Sequence, residues 1–308
     1  MARSRRGYDY TPFVWFIILV LIGVSLRVIT QNFFKGAEGF QNQPIKSIII
    51  NLQGGLGNQL FIYAGALTLQ KKYSVPVLLL PVDNNSNIHS SIDYRYLFDR
   101  TPPIEYTDQK MKETREVGIQ RNFYGPWGDI PTDKNTNILI KYHWFQDFPS
   151  IKDVIPDVKR SVISKLSERY NDFRIDNASS SFVHVRRGDY TKEAGGMYTL
   201  QMDYYNAGLT ELDKFHLIKD VYIISDDIPW CRQQNWLTTK KIIFFDEPDE
   251  LKTLYLMSQC EGGAVISNST FSSWGAFLGP YTVSAPIICP TKWLFNGNLS
   301  LPTEWVRK

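Results

Sequence analysis

The order of hydrophobic and polar positions predicts strands and helices that alternate along most of the chain. Short apolar runs rich in Ile, Val and Phe are typical of buried strands, and apolar residues recurring every three or four positions indicate helices. The predicted strands are 47–51, 76–80, 137–144, 182–186, 221–225, 241–245, 264–267 and 286–289. The predicted helices are 58–72, 156–170, 203–215, 249–260 and 271–278. This alternation indicates an α/β fold with parallel sheets covered on both faces.

The alternation is interrupted once, between residues 84 and 133, where Pro, Asp, Tyr and Asn are frequent and no period is sustained. We interpret this segment as loops with short elements. The helix predicted at 156–170 carries its apolar residues on one face and closes a first lobe. We therefore predict two Rossmann-type lobes, at residues 47–175 and 176–308, with a ligand cleft between them.

The first residues have the pattern of a membrane anchor. Three arginines precede an almost wholly apolar stretch at residues 13–29. As a helix this stretch would be roughly 25 Å long, which suits a thin internal membrane if Arg27 reaches the interface. Positive charge before the span predicts a cytosolic N-terminus. We predict a cytosolic tail at 1–12, an uncleaved signal anchor at 13–29 and a stem at 30–46, as in a single-pass type II membrane protein. A cleaved signal peptide is the alternative.

Composition narrows the classes of function. The chain has 308 residues, 43% of them hydrophobic, so a sizeable core is expected. Its 34 basic and 31 acidic residues give a net charge of +3, too small and too evenly spread to indicate nucleic-acid binding. The three cysteines lack C-x-x-C spacing and do not cluster with the four histidines, so a zinc site is disfavoured, while one disulfide stays open. N-x-S/T sequons at Asn84, Asn177 and Asn298 are candidate glycosylation sites of a lumenal domain.

The clearest chemical signal lies at the end of one predicted strand, in the sequence FVHVRRGDY that begins at Phe182. Ligands of open α/β sheets bind at the carboxyl ends of strands. The guanidinium groups of Arg186 and Arg187 supply N–H donors that match the oxygens of a diphosphate. Asp189 places a carboxylate close to this positive charge. The alternative is a surface Arg-Asp pair that only closes a turn.

A second loop, GGLGNQ at residues 54–59, joins the first strand to a helix. Bare backbone N–H groups at Gly55 and Gly57 would lie near a helix N-terminus, which is an arrangement that binds anions. The loop is a poor dinucleotide fingerprint because Leu60 stands where the third glycine belongs, so a nicotinamide dehydrogenase is disfavoured. Asn58 is placed to bond hydroxyl groups of a ligand, or else only caps the helix.

Taken in order, these motifs resemble the α-1,2-fucosyltransferases of glycosyltransferase family 11, which transfer fucose from GDP-fucose to the 2-hydroxyl of a galactoside. The resemblance extends collinearly over about residues 47–306. It rests on Gly54 to Phe61 with Tyr63 and Ala64, His184 to Tyr190, Ile224 to Asp227 with Trp230 and Cys231, Ile266 to Leu278, and Pro302 to Val306.

The resemblance implies an inverting enzyme of the GT-B type that needs neither metal nor cofactor and acts on β-galactoside-terminated glycans in the Golgi membrane. It implies that GDP-fucose is held mainly by the C-terminal lobe and that Arg186 meets the β-phosphate as it leaves. By the same resemblance, Ser269 to Phe271 begin a helix that holds phosphate, and Asn268 is occupied there and carries no glycan. The donor-binding residues implied are Arg186, Arg187, Gly55, Gly57, Asp226, Ser269, Thr270 and Phe271.

The catalytic residues implied are Arg186, Asp189 and Asn58. Asp189 is the candidate base for the acceptor proton, with pairing to an arginine as the alternative role. His184 is better explained as a hydrogen-bonded core histidine than as a base. No motif is recognised between residues 84 and 144, so the acceptor stays open. The alternatives are a GDP-fucose-dependent transferase with another acceptor and an inactive glycan-binding relative.

Overall fold

The structure is a computed structural model that describes residues 45–80, 92, 94–98, 104–105, 114–117, 127–130, 136–140, 143–192, 198–280, 285–293 and 300–308. The predicted cytosolic tail, membrane anchor and nearly all of the stem lie outside these residues, as do the sequons at Asn84 and Asn298. The anchor, the Golgi location and these two glycosylation sites therefore stay predictions. Among the described residues, no helix has the length and apolar character needed to cross a bilayer.

The first sheet consists of five parallel strands. They are β1 (Ile45–Asn51), β2 (Val77–Leu80), β3 (Ile104–Glu105), β4 (Thr114–Val117) and β5 (Thr136–Ile140), in the order β3-β2-β1-β5-β4. The three consecutive isoleucines of β1, residues 48–50, are all buried, as expected of a central strand with both faces covered. The α-helices that the structure describes in this part of the chain are α1 (Leu56–Tyr73), α2 (Phe148–Ile151) and α3 (Ile155–Arg169).

The second sheet has six strands, and it too is parallel throughout. They are β6 (Ser180–Val185), β7 (Asp220–Ser225), β8 (Lys241–Phe245), β9 (Ala264–Val265), β10 (Ile287–Cys289) and β11 (Val306–Arg307), in the order β11-β10-β9-β6-β7-β8. The accompanying helices are α4 (Met202–Asp213), α5 (Ile228–Cys231), α6 (Glu250–Gln259) and α7 (Thr270–Leu278). The predicted α/β fold with parallel sheets is confirmed, and the pair of sheets fits a GT-B arrangement.

Both sheets reverse their strand order beside their first strand. In the first sheet the chain runs outward from β1 to β2 and β3, crosses to the opposite edge as β4, and then returns beside β1 as β5. In the second it runs from β6 to β7 and β8 and returns beside β6 as β9. Such a switch point leaves a crevice outside the carboxyl ends of the two strands, where ligands bind in open α/β sheets. Each lobe therefore offers one such crevice.

The lobes meet through α1 and α7. Gly57 in the first turn of α1 lies so close to α7 that a Cβ at this position would be 2.5 Å from the backbone nitrogen of Phe271. Farther along α1, the Phe61 ring packs edge-on against Trp274 and Phe277 of α7, at centroid distances of 5.3 and 6.2 Å. Buried side chains of both lobes thus form one continuous hydrophobic cluster. Because α1 lies between its own sheet and the second lobe, it needs no continuous polar face.

All boundaries but one differ from those predicted by two residues or fewer, and three strand ends are informative. The strand predicted at 137–144 ends at Ile140, and the one predicted at 264–267 ends at Val265. The strand predicted at 182–186 ends at Val185, so Arg186 already belongs to the loop that follows. The sequence did not predict the short elements β3, β4, β11, α2 and α5.

Two further expectations from the sequence concern a disulfide among the three cysteines, which was left open, and glycosylation at Asn177. Cys231, Cys260 and Cys289 are all buried and free, so none of them forms a disulfide. Asn177 is half-buried, and its Nδ2 donates a hydrogen bond to Gln259 Oε1 at 3.2 Å. Glycosylation at Asn177 stays a prediction.

The close approach of the two helices predicts that a methyl group at Gly57 will destabilise the protein. In Gly57→Ala the Cβ would lie 2.5 Å from Phe271 N and 2.6 Å from the carbonyl carbon of Thr270, and backbone atoms cannot move aside cheaply. We expect the free energy of unfolding in urea to fall by about 1–3 kcal/mol. Gly55→Ala is the matched control, because Gly55 has φ −72° and its Cβ would meet no non-neighbouring atom within 4 Å. Equal stability of the two variants would contradict this interpretation.

Candidate functional site

A cleft of about 1040 Å³ lies between the lobes, at the carboxyl ends of β1, β5, β6 and β9. Its two walls differ in chemistry. The wall from the first lobe consists of Gly55, Leu56, Gly57, Asn58, Ile92, Trp144 and Gln146, none of which is charged. The charged residues along the described part of the cleft all come from the second lobe, and they are Arg186, Asp189, Asp226, Asp246, Glu247 and Glu250. An ionic ligand group is therefore expected against the second lobe.

Arg186 is held in the cleft by two carboxylates and an aromatic ring. Its Nη2 donates to Asp189 Oδ1 at 2.7 Å, and its Nη1 lies 3.1 Å from Asp226 Oδ2. The guanidinium carbon lies 5.4 Å from the centre of the Tyr190 ring. The Arg186 side chain is still 34% exposed, so its remaining N–H groups can reach a ligand. The two carboxylates thus hold the guanidinium in one orientation in advance of ligand binding.

The sequence led us to expect both arginines in the cleft, but the structure places only Arg186 there and not Arg187. The Arg187 guanidinium carbon lies over the Trp230 ring, 3.8 Å from its centre, and the Arg187 Nε donates to Asp227 Oδ2 at 3.1 Å. Its backbone N–H donates to Asp226 Oδ1 at 2.9 Å. Neighbouring residues at a strand end point to opposite sides, which separates the two arginines. Arg187 therefore fixes the Asp226 turn, and Asp226 in turn holds Arg186.

Two helix N-termini face the same part of the cleft. Gly55 precedes α1 and Ser269 precedes α7, and neither helix has a side-chain cap or an acidic residue in its first turn. First-turn N–H groups lack partners within a helix, and the helix dipole places partial positive charge at this end. The contact between Gly57 and the start of α7 brings the two termini together. Together they form a position suited to an anion.

Asn58 connects the two lobes through its side-chain oxygen. Its Oδ1 accepts hydrogen bonds from Gln146 Nε2 and from Thr270 Oγ1, both at 3.0 Å. Two donors on one oxygen fix the orientation of the amide, which leaves Nδ2 as a donor. Asn58 therefore acts in the cleft as a hydrogen-bond donor, and its amide oxygen is already used. The Thr270 hydroxyl, which donates to Asn58, can still accept from a ligand.

The remaining residues predicted at the start of α7 are tightly packed. Ser269 is 6% exposed, and its carbonyl accepts from the hydroxyls of Ser272 and Ser273. Phe271 is half-buried beside the ring of His184, with 5.6 Å between the ring centres. Asn268 is fully buried, and its Nδ2 donates to the backbone oxygens of Tyr198 and Trp293. The Asn268 amide is thus occupied inside the folded protein, and the expectation that it carries no glycan stays a prediction.

His184 has the environment of a core histidine. It lies inside β6, and its Nδ1 is 2.8 Å from Ser267 Oγ. Burial, with a smaller contribution from the positive charge of Arg186, lowers the pKa of His184 to about 3. An imidazole with so low a pKa stays neutral at physiological pH and accepts a proton poorly. This agrees with the structural role favoured by the sequence.

Sequence reasoning missed Trp144, Gln146 and Asp246 as residues of the cleft. Trp144 and Gln146 follow β5, and Asp246 is the first residue after β8. The signal for Asp246 was available, since a polar residue directly after a buried strand in a parallel sheet marks this edge. The other two were hidden because the strand was predicted to continue to residue 144.

The described residues contain no group of three or more His, Cys, Asp or Glu side chains placed to hold a metal ion. In the sequence, Asp226 and Asp227 lack the D-x-D spacing, and here both carboxylates are bonded to arginines. The expectation that the reaction needs no metal stays a prediction.

Comparison with known proteins identifies the family. The sequence model of glycosyl transferase family 11 matches residues 46–288, which is most of the chain. The chain therefore belongs to glycosyl transferase family 11. It is accordingly an enzyme, a glycosyltransferase, and the resemblance recognised in its motifs is confirmed at the level of the family.

Two bacterial relatives match nearly their whole length. The chain is 27% identical over 302 residues to the O-antigen biosynthesis glycosyltransferase WbnK of Escherichia coli, covering 83% of this chain and 98% of the relative. It is 31% identical over 300 residues to an α-1,2-colitosyltransferase of Escherichia coli, covering 84% of this chain and 98% of the relative. Among solved structures, NodZ α-1,6-fucosyltransferase soaked with GDP-fucose aligns with a TM-score of 0.45 and 13% identity, over 76% of this chain and 93% of that one. An Arg-to-Lys mutant of Arabidopsis thaliana FUT1 in complex with GDP aligns with a TM-score of 0.42 and 14% identity, over 82% of this chain and 73% of that one.

The lowered pKa of His184 predicts a pH dependence of stability. Between about pH 3 and 6.5 the unfolded chain binds a proton at this position and the folded protein does not, so stability rises with pH and is lost as pH falls. In His184→Gln we expect the slope of unfolding free energy against pH to decrease by up to about 1.4 kcal/mol per pH unit in this window. Urea unfolding at pH 4.5, 5.5, 6.5 and 7.5 measures it.

The control for this measurement is His216→Gln, which changes an exposed histidine of the same lobe. Some slope will persist in His184→Gln, because burial also lowers the pKa of His143, to about 4. Parallel pH profiles for the wild type and His184→Gln would show that His184 is not buried in its neutral form.

Proposed function

We propose that the protein transfers L-fucose from GDP-β-L-fucose to the 2-hydroxyl of a terminal β-galactoside on a glycan, with inversion at the anomeric carbon. The observation that carries the proposal is the meeting of two uncapped helix N-termini beside Arg186 in one cleft. Family membership supports the general reaction, and the collinear motifs support the donor and the linkage.

The diphosphate of the donor fits the second lobe between Arg186 and the start of α7. The two arginines and the three carboxylates around them, Asp189, Asp226 and Asp227, do not by themselves give a positive field. The helix termini supply the missing attraction, since each carries roughly half a positive charge. Backbone N–H groups do not move when charge develops on the leaving phosphate, so they stabilise it without reorganisation.

The nucleoside of the donor fits farther along the cleft wall formed by the second lobe, near the end of β8. Asp246 follows β8, is exposed, and forms no ion pair with any residue that the structure describes. Guanine presents adjacent N1–H and N2–H donors, which a free carboxylate accepts as a pair. Phe245 and Ile224 line the cleft beside it and offer apolar contact to a base.

In the proposed reaction the galactoside 2-hydroxyl attacks the anomeric carbon from the side opposite to the departing GDP. The transition state resembles an oxocarbenium ion, so most of the catalytic contribution of the protein goes to the leaving diphosphate. Asp189 is the candidate for the acceptor proton. It lines the cleft, and its Oδ1 holds Arg186 at the same time. If it acts as the base, Asp189→Asn will remove the acidic limb of the pH profile of kcat.

Transfer of colitose is the second candidate, and the relative named as an α-1,2-colitosyltransferase favours it. Colitose lacks the 3-hydroxyl of L-fucose, so the two donors share the diphosphate and differ only at the sugar. A further hypothesis is a GDP-fucose-dependent transferase with another acceptor.

The deciding experiment incubates the protein, in EDTA, with GDP-fucose or GDP-colitose and a panel of β-galactosides, and reads products by mass and linkage analysis. Fucose on the galactose 2-hydroxyl is the expected product. Colitosyl product alone favours the second candidate, another linkage or acceptor favours a different transferase, and no GDP release from either donor contradicts both candidates. Turnover only after Mn²⁺ is added would contradict the metal-independent mechanism.

The role of Arg186 predicts the effect of its removal. We expect Arg186→Ala to lower kcat by roughly 10²- to 10³-fold and to leave the fold intact, because the side chain is partly exposed and belongs to the cleft wall. Arg232→Ala is the matched control, since Arg232 packs on Phe244 in the same lobe and does not line the cleft. Turnover near the wild-type rate in Arg186→Ala, measured as GDP release, would contradict the assignment to the phosphate.

A further inference from the structure

The crevice at the switch point of the first lobe has a different chemistry from that of the second. Asn58 follows β1, and Trp144 and Gln146 follow β5, so all three residues lie outside the carboxyl ends of the two strands where the order reverses. None of them carries a charge. Amide groups beside an indole suit an uncharged molecule with both hydroxyl groups and an apolar face, which describes a sugar ring better than a phosphate.

Trp144 is presented to the cleft by a close contact with the glycine loop. Gly54 has φ +70°, and a Cβ there would lie 3.1 Å from Trp144 Cζ3 and 2.5 Å from Asn58 Nδ2. Because Gly54 has no side chain, the Trp144 indole and the Asn58 amide can both pack against the backbone at this position. Trp144 is half-buried, and its indole N–H donates to no residue that the structure describes. It therefore offers an apolar face to a ligand in the cleft.

Asn58 relates this crevice to the donor position. Its Oδ1 is bonded by Gln146 on the first lobe and by Thr270 at the start of α7. A ring lying on Trp144 therefore lies on one side of Asn58, and the proposed diphosphate position lies on the other. The Asn58 Nδ2 donor lies beside Gly54 and the Trp144 indole, on the side of the first lobe.

We propose that Trp144 is the platform on which the acceptor sugar stacks, with Asn58 and Gln146 bonding its hydroxyl groups. This inference rests on the proposed function, because it takes the second lobe as the donor position. A β-galactoside has an apolar face formed by the C–H groups at C3, C4 and C5, and this face lies on the indole. Trp144 thereby determines acceptor binding and leaves the donor sugar untouched.

The test compares Trp144→Ala and Trp144→Phe with the wild type in three measurements: KM for a β-galactoside, KM for GDP-fucose, and slow hydrolysis of GDP-fucose by water without acceptor. We expect the acceptor KM to rise about tenfold or more in Trp144→Ala and less in Trp144→Phe, which keeps a ring. Donor KM and hydrolysis should be unchanged. Trp236→Phe is the matched control, because Trp236 donates to Cys231 O and does not line the cleft.

The three measurements separate failure of this inference from failure of the proposed function. An unchanged acceptor KM in both Trp144 variants, or a donor KM that rises as much as the acceptor KM, would overturn the platform assignment. Unchanged hydrolysis also shows that the variants are folded. If the wild type neither hydrolyses GDP-fucose nor transfers fucose, the donor assignment is wrong. In that case galactoside binding to the wild type and to Trp144→Ala, followed by NMR, still decides the platform, since equal affinity would refute it.

Discussion

The contact between the first turns of α1 and α7 is the constraint on which the rest of the site depends. It exists because Gly57 has no side chain, so the two backbones can approach. Once they do, two helix dipoles reinforce each other at one point, and Asn58 comes within reach of Thr270. A larger residue at this position would separate the helix termini and weaken the attraction for an anion. The electrostatics of the cleft thus follow from a packing requirement.

In the proposed function, recognition is divided between two crevices of the same topological kind. Both lie at the switch point of a parallel sheet, yet one carries all the charged groups of the described cleft wall and the other carries amides and an indole. The fold therefore supplies position, and the side chains after each strand supply chemistry. On the charged side, Arg186 faces the cleft, and Arg187 holds Asp226, which in turn holds Arg186. Two residues adjacent in sequence have separate tasks.

Periodicity alone predicted most of the fold because the strands of parallel sheets are buried on both faces and the helices between them are amphipathic. It failed for β3 and β4, which lie in a polar segment and are too short to establish a period. Motifs predicted Arg186, Asn58 and the start of α7, since these residues lie close to glycines and strand ends. The opposite orientations of the two arginines, and the approach of Trp144 to Gly54, depend on tertiary packing that no local pattern encodes.

The aromatic cluster between the lobes has a consequence for turnover. Phe61 packs on Trp274 and Phe277, and Phe148 stacks on Phe277 with 10° between the ring planes. Swinging the lobes apart would expose these rings to water, at a cost of roughly 2–3 kcal/mol each. Wide hinge opening is therefore disfavoured in every catalytic cycle. With the proposed donor, the GDP product would leave through the mouth of a cleft that stays open, so its residence time would be set by its own contacts rather than by a domain motion.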